Sequence, residues 1–218
     1  MENRFSDFQK RMIIFGELVK RYWNGRLNNV EDLNDLANEI KEQYRFHDED
    51  MAFIKDHIRI AMGLDPTGED EFEDELELVK KYDVINRPVI SKVDGPCAYC
   101  DDDSRFCKDS CLFESHVYRR TKGPVIMNDK CLTCGRCVTE CDFGALADKI
   151  EFIPVINILK EKKNPVYAVV APAIAGQFGD NVTLGQLCSA FKLMGFTEMI
   201  EAAMFADILT IREAFITW

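Results

Sequence analysis

The sequence predicts an α+β fold with a helical N-terminal region, a cysteine-rich module of short strands, and the beginning of a parallel α/β domain. Apolar residues recur at spacings of three and four through residues 1–64, as they do on packed helices. Eight of the nine cysteines lie between Cys97 and Cys141. After residue 154, strand-like and helix-like segments alternate, a pattern typical of parallel sheets. We therefore predict three regions: residues 1–86, 87–153 and 154–218.

The first region is predicted to contain three helices. The first carries an apolar seam, which we assign to core packing rather than to a cofactor-binding face. Asn28 or Asn29 would cap the second, and the third would end near Gly63. The seam consists of Phe5, Phe8, Met12, Phe15, Val19 and Tyr22; the second helix would bury Leu33, Leu36, Ile40 and Tyr44, and the third Ile54, Ile58 and Ala61.

An acidic run, "GEDEFEDELE", follows these helices and holds seven acids between Glu69 and Glu77. A calcium site or a patch for a basic partner is one interpretation. Calcium loops need a fixed ligand spacing and a turn glycine, so we favour a solvated linker or helix face.

The stretch "DKCLTCGRCVTECDFGAL" places four cysteines within eleven residues. Their gaps of two, two and three match the bacterial ferredoxin run, in which three cysteines hold one cluster and the fourth belongs to a neighbouring cluster. Structural zinc sites usually use two separated C-x2-C pairs, so zinc is the weaker alternative. A second ligand set is therefore expected elsewhere in the chain.

The stretch "CAYCDDDSRFCKDSC" supplies that second set, with a polar insert between its second and third cysteines. The two runs predict a two-cluster, ferredoxin-like module with crossed ligands and two 4Fe-4S clusters. One cluster would be held by Cys97, Cys100, Cys107 and Cys141, and the other by Cys131, Cys134, Cys137 and Cys111.

The segments around these runs predict two copies of one small unit. Strands are expected in "NRPVISKVDG", "GPVIMND" and "KIEFIPV", and a short helix in "SCLFESHVYRR". His116 in that helix is interpreted as a surface or packing residue, because eight cysteines already fill both clusters. His47 and His57 are assigned no role.

The last region predicts a strand–helix–strand–helix order. "NPVYAVVAPAI" has the β-branched character of a buried parallel strand, and "EMIEAAM" would be its partner. "TLGQLCSAFKLMG" predicts a helix with Thr183 as its cap and Gly195 as its stop, and "DILTIREAFITW" predicts another. Cys188 within the first helix is interpreted as a small core residue.

Composition narrows the classes of function. A net charge of −11 argues against nucleic acid, whose phosphates need basic patches. No apolar stretch is long enough for a transmembrane helix, and "MENRFSDFQK" has no apolar signal region, which predicts a cytoplasmic protein. Nine cysteines without a secretory signal favour metal ligation over disulfides.

Together with the cysteine runs, the segments "VVAPAIAGQFG", "TLGQLCSAFKLMGF" and "FADILTIREA" resemble the FeFe hydrogenase (iron-only hydrogenase large subunit) family. The resemblance covers roughly residues 95–216 and implies a ferredoxin-type module ahead of a catalytic domain. In that family, motifs resembling TSCCP, MPC and ExMAC hold the hydrogen-activating cluster, and none of them occurs in this sequence. We therefore expect a truncated relative that lacks catalytic residues and does not make hydrogen by itself.

The resemblance implies an electron-transfer part of such an enzyme, relaying electrons between a redox protein such as a ferredoxin and a hydrogen-activating site absent from these residues. Two alternatives stay open: a stand-alone ferredoxin-type electron carrier, and a non-catalytic sensory or assembly relative of the family. No nucleic-acid partner and no membrane insertion are expected, and the oligomeric state is not predicted.

Overall fold

The computed structural model describes residues 5–47, 50–81, 90–93, 100, 106–119, 123–127, 129–141 and 143–216. The fold is α+β, as predicted. The chain divides into two compact units, residues 1–153 and 154–218. The helical and cysteine-rich regions thus share one unit, and the finer three-region division stays a prediction.

The described elements of the first unit are α1 (Asp7–Trp23), α2 (Val30–Tyr44), α3 (Met51–Ala61), α4 (Glu75–Lys81), β1 (Ile90–Lys92), α5 (Phe106–Asp109), β2 (His116–Arg119), β3 (Gly123–Ile126), α6 (Arg136–Thr139) and β4 (Leu146–Asp148). Those that follow are α7 (Phe152–Glu161), β5 (Tyr167–Val170), α8 (Leu184–Met194), β6 (Glu198–Glu201) and α9 (Ala202–Ile216).

The predicted seam of α1 is not its buried face. Ile14 and Leu18 are fully buried, whereas Phe8 and Met12 are 62% and 55% exposed. The rest of the seam, Phe5, Phe15, Val19 and Tyr22, is half-buried. The helix itself begins as its sequence dictates, with Ser6 and Gln9 forming a reciprocal capping box. The prediction of a packed seam is therefore confirmed only in part. Phe15 and Tyr22 pack edge-on against Phe152, with ring centroids 5.9 and 5.8 Å apart, but the most buried residues of α1 belong to the adjacent stripe.

Helices α2 and α3 follow the prediction closely. Asn29 caps α2 by accepting the Asp32 N–H at 2.8 Å. The predicted core positions are buried, apart from Tyr44, which is half-buried; the buried set is Leu33, Leu36, Ile40, Ile54, Ile58 and Ala61.

Helix α3 anchors the acidic run through Arg59, which is 1% exposed. Its guanidinium donates to the carboxylates of Asp56 and Glu75, both at 2.9 Å, and to two backbone carbonyls of the run. Six of the seven acids are exposed, as the linker interpretation requires, but Glu75 is buried against Arg59. The run is therefore a solvated segment with one buried attachment point.

The helices pack on the sheet of the cysteine-rich module. Ile60 of α3 forms a buried cluster with Val93 and Ala147, and Arg11 of α1 donates to the Leu146 carbonyl at 3.1 Å and to Asp148 Oδ1 at 3.0 Å. Each contact joins a helix to β4 or to the end of β1. The module is thus built onto the helical region within one hydrophobic unit.

Two small antiparallel sheets form the module. β1 pairs with β4, with Ile90 opposite Asp148, and β2 pairs with β3, with His116 opposite Ile126. The strands in "NRPVISKVDG" and "GPVIMND" are confirmed.

Two predictions in the module are wrong. "SCLFESHVYRR" contains strand β2 rather than a helix: β2 pairs with β3, and just before it the Ser115 N–H donates to Cys111 Sγ at 3.4 Å. "KIEFIPV" opens α7 rather than forming a strand, since the strand is the preceding Leu146–Asp148. Pro154 lies in the first turn of α7, where its missing N–H breaks no hydrogen bond.

The second unit confirms the predicted β–α–β order. β5 and β6 pair in parallel, with Tyr167 opposite Glu198. Thr183 forms a capping box with Gln186 at the start of α8, and Gly195 ends that helix with φ +105°. β5 is buried on one face only, because Ala168 and Val170 are buried while Tyr167 and Val169 are exposed.

Cys188 and the last helix of this unit differ from their predictions. The Cys188 side chain is half-buried and donates to Glu198 Oε1 at 3.2 Å, so it is not a simple core residue. Helix α9 begins at Ala202, whereas the segment predicted to be this helix, "DILTIREAFITW", begins at Asp207. None of its residues is buried. Among the described residues, no helix has the length and apolar character needed to cross a membrane.

Candidate iron-sulfur site

The two cysteine runs fold alike. The third cysteine of each run, Cys107 or Cys137, lies on a four-residue helix, α5 or α6, and these two helices contact each other. The fourth cysteine, Cys111 or Cys141, lies two residues beyond its helix. This repetition in space matches the repetition of the cysteines in sequence.

A hydrophobic cluster gathers cysteines from both runs. Ile90, Cys137 and Leu146 are buried together, and the less buried Cys107, Cys131 and Cys141 pack against them. Residues from β1 and β4 thus form an apolar floor under the cysteines. Such a floor excludes water from one side of a cluster, which helps to set its potential.

Cys137 is the most deeply placed of the described cluster cysteines. Burial raises the pKa of its thiol to about 12, and charge on Cys131, Cys107, Cys111 and Cys134 acts in the same direction. Among these four, Cys131, Cys134 and Cys111 are the ligands predicted to share a cluster with Cys137. A thiolate in this position needs strong positive charge beside it, and the iron of a cluster supplies such charge.

Cys111 is surrounded by hydrogen-bond donors. The Ser115 hydroxyl lies 3.0 Å from Cys111 Sγ, and the Ser115 N–H donates to the same sulfur at 3.4 Å. Burial alone would raise the pKa of Cys111, but these bonds, with N–H groups of Phe113 and His116, outweigh it and lower the pKa. Donors aimed at sulfur are a usual feature of iron–sulfur ligands.

Arg11 brings a positive charge to the fourth cysteine of the second run. Burial lowers the pKa of its guanidinium, while Asp148 and Cys141 act in the opposite direction. Cys141 therefore lies within electrostatic reach of Arg11.

No three His, Cys, Asp or Glu side chains of the described residues converge closely enough to hold a single metal ion. A cubane binds each thiolate to a different iron atom, so its four ligands surround a larger group rather than one point. Cys97 lies outside the described residues, and Cys100 is half-buried. The predicted eight-ligand set therefore stays a prediction, although the donor chemistry of the described cysteines fits a cluster.

The second run reaches the surface at Cys134, the most exposed of the described cluster cysteines. Its neighbour Leu132 is 62% exposed, and the basic side chains of Lys130 and Arg136 are also exposed. Two exposed acids, Asp129 and Glu140, lie just outside these two basic residues in the sequence.

The interpretation of His116 as a packing residue rather than a ligand agrees with its position in the structure. His116 is buried, as expected of a packing residue, and its Nδ1 has no hydrogen-bond partner among the described residues. His57, to which no role was assigned from the sequence, is also buried. Sequence reasoning also missed Ser115 and Arg11. A serine four residues after a predicted ligand was the only available signal for Ser115, and it is a weak one.

Comparison with known proteins agrees with this description. Residues 124–147 match the 4Fe-4S binding domain, and residues 164–216 match the iron only hydrogenase large subunit, C-terminal domain. Residues 164–216 are thus similar to the iron-only hydrogenase large subunit, and residues 124–147 to 4Fe-4S binding domains in general. The chain therefore joins an iron–sulfur binding module to part of a hydrogenase-type domain, which confirms the resemblance seen in the sequence.

One relative is the NADP-reducing hydrogenase subunit HndD of Solidesulfovibrio fructosivorans. It is 26% identical over 90 residues, which cover 38% of this chain and 15% of that protein. The chain thus spans only a small part of the length of the relative that it matches. No solved structure matches the chain.

Proposed function

We propose that the chain is the electron-relaying part of an iron-only hydrogenase-like protein. Two 4Fe-4S clusters, held by the two crossed cysteine sets, would pass electrons to or from a hydrogen-activating site that the 218 residues do not contain. The observation that carries this proposal is the pair of matching cysteine helices, α5 and α6, in contact with each other ahead of a hydrogenase-type βαβ unit.

The residues of the chain have three tasks in this scheme. The cysteines ligate, the apolar floor of Ile90 and Leu146 limits water, and Ser115 and Arg11 direct positive dipole or charge at the ligand sulfurs. Together these features would set the reduction potential at which each cluster accepts one electron.

Cys134 is the proposed point at which electrons enter or leave. Lys130 and Arg136 are exposed four residues before it and two residues after it, and on this ground an acidic redox protein such as a ferredoxin is the proposed partner. Replacing both by Glu should slow electron exchange with an acidic ferredoxin and reduce its dependence on salt. The matched control, Lys162→Glu with Lys163→Glu, makes the same charge change in the second unit and should have no such effect.

The ligand proposal is tested by metal content. Anaerobically prepared protein should carry about eight irons and eight sulfides per chain, as two cubanes require. Cys188→Ala should leave this content unchanged, because Cys188 lies outside both runs. Stoichiometric zinc with little iron would contradict the proposal.

The crossing of the ligands is tested by paramagnetic resonance. Cys141→Ala should convert the cluster held with Cys100 and Cys107 to a three-iron form, while the cluster held with Cys134 keeps its signal. Cys111→Ala should do the reverse. If Cys141→Ala and Cys134→Ala disturb the same signal, each run holds its own cluster.

A further inference from the structure

Helix α9 carries more apolar surface than its own unit covers. None of its 15 residues is buried, and seven of its large apolar side chains are more than half exposed, with Phe215 at 81% and Ile216 at 74%. A helix of this length is marginal in water by itself and depends on packing against another element. An apolar helix without such packing therefore indicates a partner.

Four of these side chains have the spacing of a coiled-coil seam. Met204, Ile208, Ile211 and Phe215 follow one another at intervals of four, three and four residues, which keeps them on one side of the helix. Their exposed fractions lie between 51% and 81%. In the seven-residue repeat, Ile208 and Phe215 occupy position a, and Met204 and Ile211 occupy position d. This is the pattern of a helix that packs lengthwise on a second helix.

The charges beside the seam indicate which helix fits it. Asp207 and Arg212 are exposed and flank the seam at positions g and e. In a parallel pair of identical helices, position g of one helix faces position e of the next repeat in the other, five residues later. Asp207 of each copy would then lie beside Arg212 of the other, which gives two symmetric ion pairs. In an antiparallel pair, g faces g and e faces e, so these unlike charges do not meet.

We propose that α9 pairs in parallel with α9 of a second copy of this chain, forming a two-fold dimer. Its seven exposed apolar side chains present roughly 700 Å², at about 100 Å² each, and a specific interface buries about 800 Å² per partner. The helix thus supplies most of the area that a dimer needs, and its charges fit a copy of itself. Because the seam covers less than two full repeats, the dimer is weak and forms reversibly. The pairing involves no cluster and does not depend on the proposed function.

Sedimentation equilibrium of the full chain, prepared anaerobically with a reductant so that no disulfides join the chains, tests the pairing. The average mass should rise with concentration toward twice the 25.0 kDa of one chain. Ile208→Glu places a charge in the seam and should hold the mass at one chain. Ile158→Glu on α7 is the matched control, because Ile158 is 52% and Ile208 is 51% exposed, and it should leave the pairing unchanged. A single-chain mass at every concentration, a mass above that of two chains, or equal effects of the two variants would overturn the proposal.

Exchanging the two charges tests the orientation without altering the apolar seam. In the parallel dimer, Asp207→Arg and Arg212→Asp each replace two attractive contacts by two repulsive ones, so each should weaken the dimer about ten-fold. The double variant restores opposite charges and should return the affinity to that of the parent. Both positions are exposed and report on the pairing even if Ile208→Glu fails to fold. Single variants that pair as tightly as the parent, or a double variant that stays weak, would refute the parallel arrangement.

Discussion

Ser115→Ala is expected to lower the reduction potential of one proposed cluster and not the other. Ser115 is 2% exposed, and its hydroxyl lies 3.0 Å from Cys111 Sγ. A donor stabilises the reduced, more negative cluster more than the oxidised one. Hydrogen bonds to charged groups exceed those between neutral groups by about 1 kcal/mol, which corresponds to about 40 mV for one electron. We expect a decrease of that order in the cluster of Cys131, Cys134, Cys137 and Cys111.

The assay is a redox titration followed by paramagnetic resonance, which reports each cluster separately. Ser110→Ala is the matched control, because the Ser110 hydroxyl lies 3.3 Å from the Cys107 backbone carbonyl rather than near a sulfur. It should leave both potentials within error of the parent. The reasoning fails if Ser115→Ala and Ser110→Ala give the same potentials, or if Ser115→Ala shifts the other cluster.

Three further predictions concern charged and titratable groups. Arg11→Met should lower the potential of the cluster that Cys141 serves, measured by the same titration, whereas Arg21→Met on the same helix should not. Arg59→Met leaves two buried carboxylates unpaired and should reduce the free energy of unfolding in urea by about 3–5 kcal/mol; an unchanged midpoint would contradict this. The pKa of His57 is about 3 in the folded chain and 6.5 ordinarily, so below about pH 6.5 the unfolded chain binds a proton that the folded chain does not. Unfolding free energy should therefore fall by about 1 kcal/mol more between about pH 6.5 and pH 5.5 in the parent than in His57→Leu.

Local signals in the sequence predicted many element ends. Asn29, Thr183 and Gly195 act where their side chains or backbone freedom predict, because capping depends on only a few neighbouring residues. The parallel pairing of β5 and β6 followed from the order of apolar and amphipathic segments. These parts of the fold are encoded over short stretches of chain.

The predictions fail where contacts between residues far apart in the sequence determine the local structure. The α1 seam has helical spacing, yet the buried stripe is set by where α2 and α3 contact it. The residues after Cys111 form a strand because β2 pairs with β3, and the Ser115 N–H that precedes the strand donates to the Cys111 sulfur. Propensity and periodicity cannot anticipate either choice. The cysteine spacing predicted the ligands, but not the Ser115 and Arg11 side chains that approach them.

Helix α1 connects the helical region to the cysteine-rich module. Its Arg11 guanidinium donates to the Leu146 carbonyl of β4 and acts electrostatically on Cys141, while its Phe8 and Met12 line a cavity together with Val138 of the second run. Since Arg11 supports both the strand and the electrostatics of Cys141, the same helix stabilises the module and acts on its chemistry. In the proposed electron-transfer scheme, α1 of the helical region therefore acts on a cluster ligand of the cysteine-rich module.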